Sequence, residues 1–380
     1  MDELEGLVTE VARKRISRRQ FIDRALALGL SAGAIGTVLG ACGGETESSP
    51  SPGVMDTTKP EKLYLFNWAE YMDPALLKKF EQETGIKVVE TYYDDNEALL
   101  SKLKAGARGY DLCVPSDYMV TVLYNTGLLL PLDMKYIPNF KYVAPRWQKP
   151  AYDPETDGNK YSCPYQFGTT GIGVRIDKVT EPITKWADLW NPAYKGQIEM
   201  LNDERDVIGA ALLTLGYSLN CRDQGQFDEG VAKAIEQKPL VRAYNSNTTR
   251  RDLTAGVPLV QGWTGYVLMA YDALGPERLD YVLAEEGFCM YMDSIAIPIG
   301  APSPYAAHLF LNFLFDPKNA AQLTNYTWYH TPVPDATQYI DKMVLAFVPT
   351  DQELQRGEQL VDLGEFTRNW ADGWAKLKSA

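Results

Sequence analysis

Four short clusters of this 380-residue chain combine aromatic rings with carboxylates or hydroxyls where a predicted strand ends. They are residues 68–71 (WAEY), 116–118 (SDY), 203–206 (DERD) and 263–266 (WTGY). An organic polycation needs this combination. Its methylene groups pack on aromatic faces, and its ammonium groups receive ionic hydrogen bonds and cation–π attraction of about 0.5–2 kcal/mol each. The clusters therefore predict a site for an organic cation.

Two of these acids, Asp203 and Asp206, also begin a predicted helix. The dipole and free amide groups of a helix N-terminus help carboxylates to stay ionised, as a cation site requires. The same spacing is typical of a capping box, which needs no ligand. Each aromatic residue, taken alone, is likewise explained by core packing. Only the joint placement of the four clusters at strand ends favours a binding site.

Alternating strands and helices must position these clusters. Apolar runs predict strands over residues 63–66, 86–89, 111–114, 197–201 and 257–261. Helices are predicted over residues 74–84, 96–104, 203–215 and 306–315. This order predicts an α/β fold with a mainly parallel sheet and helices on both faces, in which ligands bind beyond the carboxyl ends of the strands. The glycine-rich residues 167–173 predict the start of a second unit.

Residues 17–42 carry an export pattern. A serine precedes the pair Arg18 and Arg19, a weakly hydrophobic run follows, and the run ends in Leu-Gly-Ala-Cys at Cys42. The pair resembles a twin-arginine signal and the last four residues resemble a bacterial lipobox, so residues 1–41 are predicted to be a signal peptide cleaved before a lipidated Cys42. A transmembrane helix is the alternative, but residues 25–41 are rich in Gly and Ser and shorter than the roughly 20 residues needed to cross a bilayer core. Residues 42–59 predict a flexible linker, because they contain almost no large apolar side chains.

Composition narrows the classes of function. The chain has 37 Lys and Arg against 50 Asp and Glu, a formal net charge of −13. Such a surface repels nucleic acid and attracts cations, although solubility alone explains it too. Cys113, Cys163, Cys221 and Cys289 are widely spaced, which fits no metal cluster and leaves their pairing open. No metal or cofactor is predicted. The chain has only two histidines and contains neither a Gly-x-Ser-x-Gly nor a His-Glu-x-x-His motif. The sequence therefore gives little support for a catalytic function.

Several motifs, in order along the chain, resemble the spermidine/putrescine-binding protein family, the extracytoplasmic component of polyamine ABC transporters. They are residues 66–71 (FNWAEY), 83–88 (ETGIKV), 110–116 (YDLCVPS), 186–190 (WADLW), 215–218 (LGYS) and 292–298 (MDSIAIP). The resemblance implies a two-lobed type II periplasmic solute-binding fold, with both lobes α/β and the ligand cleft between them. Lobe 1 is expected to comprise residues 60–168 and 292–334. Lobe 2 is expected to comprise residues 169–291, with 335–380 packing on it.

The ligand-binding residues of that family can be carried over onto this chain, and most of them fall in the clusters described above. The resemblance implies as ligand-binding residues Trp68, Glu70, Tyr71, Ser116, Tyr118, Asp203, Asp206, Trp263, Tyr291, Asp293 and Tyr329. Glu70 matches a family acid near one end of the ligand, and Tyr291 replaces a common Trp or Phe.

Other positions depart from the family pattern. Ala69 stands where a hydroxyl residue is usual, Asp206 where Glu is common, and Leu360 where a Gln is expected. Members of the family that prefer putrescine share an acidic residue three positions after the cleft Trp. In this chain that Trp corresponds to Trp263, and the position three residues later is Tyr266. These departures favour spermidine or a longer polyamine over putrescine.

The resemblance implies a lipid-anchored, extracytoplasmic monomer that is not an enzyme. It is expected to capture a polyamine and deliver it to the permease subunits of an ABC importer, with no nucleic acid as partner. One alternative is a binding protein of the same fold for another organic cation or an amino acid derivative. A secreted hydrolase that uses Asp203, Asp206 or Glu70 as paired carboxylates is disfavoured, because a glycosidase needs one raised pKa whereas acids at a helix start tend to stay ionised.

Overall fold

A ten-stranded sheet is the frame of the computed structural model, which describes residues 55–153 and 161–380. Its strands are β1 (Lys62–Asn67), β2 (Lys87–Tyr92), β3 (Leu112–Cys113), β4 (Ser162–Val174), β5 (Ile198–Met200), β6 (Val241–Tyr244), β7 (Leu259–Trp263), β8 (Asp280–Val282), β9 (Phe288–Ala296) and β10 (Gly357–Gln359). They pair in the order β2-β1-β3-β9-β4-β7-β5-β6, with β8 beside β4 and β10 beside β9. The predicted signal peptide and Cys42 lie outside the described residues.

The long strand β4 runs through both parts of the sheet. Residues 162–169 pair with β9, and residues 170–174 pair with β7. We call β1, β2, β3, β9 and β10 the first sheet half and β5 to β8 the second sheet half; β4 belongs to both. The predicted start of a second unit at residues 167–173 coincides with the point in β4, after Thr169, where the pairing partner changes from β9 to β7, and the lobe bounds remain a prediction. The glycines of this segment serve close packing, since a Cβ at Gly171 would come within 2.6 Å of the Tyr281 ring.

The sheet is mixed rather than mainly parallel. The pairs β1–β2, β1–β3, β5–β6 and β5–β7 are parallel, as the alternation of strands and helices predicts. The pairs that β4 makes with β7, β8 and β9 are antiparallel, and β3 also meets β9 in this sense. The prediction of a mainly parallel sheet fails at β4, which runs antiparallel to β7, β8 and β9, and at β9, which runs antiparallel to β3 and β4.

Helices cover the sheet and precede or follow most strands. The α-helices are α1 (Pro74–Thr84), α2 (Asn96–Lys104), α3 (Asp117–Asn125), α4 (Pro145–Gln148), α5 (Glu204–Thr214), α6 (Gln224–Gln237), α7 (Thr249–Ala255), α8 (Thr264–Leu274), α9 (Pro304–Leu314), α10 (Pro317–Thr327), α11 (Lys342–Leu345), α12 (Asp351–Leu354) and α13 (Thr367–Ser379). Local signals set their ends. At α1, Asp73 accepts a hydrogen bond from the Ala75 amide, and Gly85 ends the helix at φ +79°.

The C-terminal segment contacts both sheet halves. Strand β10 pairs with β9 of the first sheet half. On α13, Trp370 is fully buried and its ring lies 5.0 Å from that of Phe227 on α6. Lys238 donates hydrogen bonds to the carbonyls of Leu377 and Lys378. These contacts tie the end of the chain to its middle, while the lobe boundaries stay a prediction.

The described cysteines are Cys113, Cys163, Cys221 and Cys289, and all four are buried and free. In the same part of the chain, no helix has both the length and the apolar character needed to cross a bilayer. The described residues also contain no group of three or more His, Cys, Asp or Glu side chains arranged to hold a metal ion.

Gly265, the second residue of α8, lies where the backbone meets Tyr329. A Cβ there would come within 2.2 Å of the Tyr329 ring and 2.4 Å of the Thr327 carbonyl oxygen. We expect Gly265→Ala to lower the free energy of unfolding by about 2 kcal/mol, because the ring and backbone must shift apart. Chemical denaturation measures this loss. Gly225→Ala on α6 is the control, since its Cβ meets only the Asp223 carboxylate, at 3.3 Å. Equal stability of the two variants would contradict the close approach at Gly265.

Candidate functional site

A cavity lies between the two sheet halves, beyond the carboxyl ends of β1, β3, β5 and β7. About 560 Å³ of space lies between its walls, part of it open to solvent. Its walls contain ten of the eleven residues predicted to bind ligand, all except Glu70. The lining residues are Trp68, Tyr71, Asn96, Ser116, Tyr118, Asp203, Asp206, Trp263, Tyr266, Cys289, Tyr291, Asp293, Tyr329 and Leu360.

Asp293 is the acid that the first sheet half contributes. It lies on β9 and is 95% buried, with a relative exposure of 5%. Its Oδ2 accepts a hydrogen bond from the Tyr71 hydroxyl and its Oδ1 accepts one from Ser116 Oγ, both at 2.7 Å. Burial raises the pKa of Asp293 to about 6, and the hydrogen bonds from Ser116 and Tyr71 oppose the rise. The carboxylate is therefore fixed in place by neutral donors.

Asp203 and Asp206 are the acids that the second sheet half contributes. Asp203 caps α5, since its Oδ1 accepts from the amides of Arg205 at 2.8 Å and Asp206 at 3.0 Å. Trp263 Nε1 donates to Asp206 Oδ2 at 2.8 Å. The other oxygen of Asp206, Oδ1, is buried and has no hydrogen-bond partner among the described residues. The capping explanation is thus right for Asp203, and the same side chain also lines the cavity.

The helix start does not keep these two acids at ordinary pKa values. Burial, followed by the neighbouring charge of Asp203, raises the pKa of Asp206 to about 7. Burial also raises the pKa of Asp203, although the two amide hydrogen bonds oppose it. The α5 N-terminus favours the ionised acids as expected, but burial outweighs it at both positions, and the neighbouring charge of Asp203 adds to burial at Asp206.

Aromatic rings form the rest of the wall. The ring centroids of Trp68 and Trp263 are 5.9 Å apart in an edge arrangement, so these two indoles meet across the cavity from opposite sheet halves. The Tyr329 ring lies 4.7 Å from Tyr71 and 6.4 Å from Tyr291. Trp68 is held by a hydrogen bond from its Nε1 to the Val114 carbonyl at 2.8 Å. An aliphatic chain that enters this cavity therefore meets ring surfaces at several points.

The three cavity carboxylates have no ion-pair partner in the part of the chain that the structure describes. Among the described residues, no Lys or Arg nitrogen comes within ion-pairing distance of Asp203, Asp206 or Asp293. Arg205, the nearest guanidinium in sequence, is buried and bonds elsewhere. Its Nη2 donates to Asn220 Oδ1 at 3.0 Å, and its guanidinium carbon lies 4.7 Å from the Trp370 ring centroid. Arg205 thus joins α5 to the C-terminal segment, and its charge lowers the pKa of Asp203 and Asp206 without forming an ion pair with either acid.

Four lining residues were not among the predicted site residues: Asn96, Tyr266, Cys289 and Leu360. Asn96 begins α2 shortly after β2, so the expectation that ligands bind beyond the carboxyl ends of parallel strands could have identified it. Its Nδ2 donates to Ser116 Oγ at 3.1 Å, and its Oδ1 accepts from the Ser116 amide. Leu360 holds the position at which the family resemblance implies a Gln, whereas Cys289 has no local signal; the long-range pairing of β9 and β10 brings these two parts of the chain together.

Glu70 is the predicted site residue that the structure does not bring to the cavity. Its backbone adopts a left-handed conformation with φ +54°, which is uncommon for a residue with a side chain. Its Oε1 forms an ion pair with Arg250 Nη2 on α7 at 3.0 Å. The carboxylate lines a separate, open recess that also contains Asp272 and Tyr326. Glu70 is therefore neutralised by the protein itself.

Comparisons with known proteins match this architecture. Residues 75–353 match the model of a family described as bacterial extracellular solute-binding protein. The chain is 36% identical over 323 residues to the spermidine/putrescine-binding periplasmic protein of Escherichia coli, covering 83% of this chain and 91% of that protein. It is 32% identical to the putrescine/cadaverine-binding protein of Pseudomonas aeruginosa, covering 86% and 96%. A solved structure from Listeria monocytogenes, a putative spermidine/putrescine ABC transporter protein, aligns with a TM-score of 0.80 at 32% identity, covering 84% and 99%.

The buried acids predict how stability depends on pH between 6.5 and 8, where the protons that they retain outnumber those that the two histidines bind in the unfolded chain. Burial above all raises the pKa of Glu97 and Asp206 to about 7 and of Asp117 and Glu204 to about 8. Because the folded protein holds these protons and the unfolded chain releases them, stability is expected to fall by about 1 kcal/mol or more per pH unit between pH 6.5 and 8.

Urea denaturation of the ligand-free protein at several pH values measures this slope. Asp206→Asn should make the slope shallower, because it removes one of the retained protons. Asp228→Asn, at an exposed position of α6, is the matched control and should leave the slope unchanged. Stability that rises between pH 6.5 and 8 would contradict the retained protons.

Proposed function

This chain belongs to the spermidine/putrescine-binding family of bacterial extracellular solute-binding proteins, and we propose from this that it captures a linear polyamine and delivers it to an ABC importer. The family consists of solute-binding proteins and not of enzymes. Its fold is the two-lobed type II fold, and the shared strand β4 is the type of crossing segment about which two lobes can close. A ligand that contacts both sheet halves would favour the closed state by its higher affinity for it.

The observation that carries the proposal is a set of buried carboxylates with no cation of their own. Leaving a charge desolvated and unpaired is costly, so such acids either take up protons or receive a cationic ligand. Asp206 Oδ1 still lacks a hydrogen-bond partner, and an ammonium N–H can supply one. The rings of Trp68, Trp263 and Tyr329 offer the apolar surface that the methylene groups of a polyamine require.

The geometry favours a polyamine over the other small ligands. A ligand that carries a carboxylate, such as an amino acid derivative, needs a positive group in the cavity, and Arg205 is already bonded to Asn220 and the Val361 carbonyl. A quaternary ammonium ion has no N–H to donate to Asp293 or Asp206. A hydrolase is excluded by the family. The preference among polyamines depends on the end of the cavity near Tyr266, where the family pattern favours spermidine over putrescine.

We further propose that the protein acts as a lipid-anchored monomer outside the cytoplasm. The twin-arginine pattern and the lipobox at Cys42 support export and lipidation, and residues 42–59 would then be the linker between the anchored cysteine and the folded chain. A lipid anchor keeps the binding protein close to a permease in the same membrane. Radiolabelled palmitate tests the anchor: incorporation lost in Cys42→Ser supports it, and incorporation unchanged in that variant contradicts it.

Calorimetric titration tests the ligand class and the site together. We expect putrescine or spermidine to bind with micromolar or tighter affinity. Asp293→Asn should weaken binding at least about tenfold, because it removes a charge-assisted hydrogen bond from a buried ammonium. Asp188→Asn is the control, since Asp188 caps the 3₁₀ helix Trp186–Trp190 away from the cavity. Failure of every polyamine to bind would refute the proposed function, and equal effects of the two variants would mean that the site lies elsewhere.

Binding should also release protons. A polycation lowers the pKa of each acid beside it, so part of the protons held by Asp206 and Asp293 near neutral pH should leave when the ligand enters. Titration at pH 7 in phosphate and in Tris measures the release, because the two buffers differ in ionisation enthalpy. A binding enthalpy that is the same in both buffers would contradict the raised pKa values.

A further inference from the structure

Several contacts outside the cavity join the two sides of its rim. Arg250, on α7 after β6, forms the ion pair with Glu70, which follows β1. The Tyr266 hydroxyl donates a hydrogen bond to the Ala69 carbonyl. Asn247 Nδ2 donates to Asp94 Oδ1 at 3.0 Å. These contacts link residues 153 to 197 positions apart in the chain, so they form only when the two sides come together.

Tyr266 lines the cavity at the end nearest to the ion pair. Its ring lies 6.2 Å from Trp263 and 6.3 Å from Tyr329. Burial, together with the charges of Glu70 and Asp293, raises the pKa of Tyr266, so its phenol lies near both acids. Asp293 lines the cavity, and Glu70 lines the recess. Because the Tyr266 hydroxyl bonds to Ala69, the residue before Glu70, the Tyr266 end of the cavity lies next to the Glu70–Arg250 pair.

Beyond the pair lies the recess lined by Glu70, Arg250, Met269, Asp272, Asn325, Tyr326 and Trp328. It carries two acids and two aromatic rings, the same residue types that line the cavity. A triamine that keeps one ammonium at Asp206 and one at Asp293 could place its third ammonium at Glu70 by extending toward this recess. Arg250 already pairs with that carboxylate before a ligand arrives, because its guanidinium is attached to the protein and is always charged.

We propose that Arg250 is a specificity-determining residue that competes with a ligand ammonium for Glu70 and so favours diamines over triamines. The inference rests on the proposed function, because it concerns which polyamine the same cavity accepts. A carboxylate that already forms an ion pair attracts a second cation only weakly. The third ammonium of a triamine therefore gains no strong partner at Glu70. The contacts of Tyr266 and Glu70 thus argue against the spermidine preference that the family pattern indicates.

The pair is also open enough for ligand competition to be measured. The side chains of Glu70 and Arg250 are 45% and 48% exposed, so the ion pair is screened by solvent and can be broken without unfolding the protein. Removal of Arg250 should therefore free Glu70 for the ligand.

The test is calorimetric titration of putrescine and spermidine into the purified protein, Arg250→Ala, Glu70→Gln and the double variant. Arg250→Ala should raise the ratio of spermidine to putrescine affinity about tenfold, equivalent to about 1.4 kcal/mol. Glu70→Gln alone should change the ratio less than about twofold, and adding it to Arg250→Ala should abolish the gain. The ratio is used because loss of a positive charge strengthens binding of every cation.

Arg251→Ala is the control of equal charge. Arg251 is 71% exposed and bonds to Asp252 instead of Glu70, so its removal should leave the ratio unchanged. A tenfold loss of spermidine affinity in Glu70→Gln alone, with no effect of Arg250→Ala, would overturn the assignment, because Glu70 would then bind ligand directly. Equal ratios in all the proteins would also overturn it. If neither polyamine bound to any of them, the proposed function itself would fail.

Discussion

The desolvation of carboxylates that have no internal cation is the constraint on which this site depends. Asp203, Asp206 and Asp293 are enclosed by the two sheet halves, and the protein offers them neutral donors only. Removal from water disfavours the charged form, and the mutual repulsion of Asp203 and Asp206 adds to it. Under the proposed function, a bound polycation would offset this desolvation, so the three acids would contribute to ligand affinity rather than to the stability of the fold.

The fold serves this constraint by bringing strand ends from two parallel strand sets to one place. The sets β1–β3 and β5–β7 each end in a turn that carries an acid or an aromatic residue. The long antiparallel strands β4 and β9 join the sets and fix their separation. Close packing at Gly265 allows the Tyr329 ring to approach the backbone of α8. The cavity therefore has walls from both sheet halves, and a ligand within it contacts both.

Local signals in the sequence predict much of this arrangement. Asp73 and Gly85 delimit α1 as expected, and the strand-end rule places Trp68, Ser116 and Asp203 around one cavity. Long-range pairing escapes such signals. No pattern near Glu70 shows that Arg250, 180 residues later, neutralises it. The position of Leu360 depends on β10 joining β9, and the pKa of Asp206 depends on burial that only the assembled walls create.

A crystal structure of the protein with a bound polyamine tests the central claim most directly. The account predicts one ligand nitrogen within about 3 Å of Asp293 and another within the same distance of Asp206 Oδ1, with the methylene groups packed on Trp68, Trp263 and Tyr329. A polyamine bound outside this cavity, or a cavity ligand whose nitrogens make no contact with either carboxylate, would contradict it.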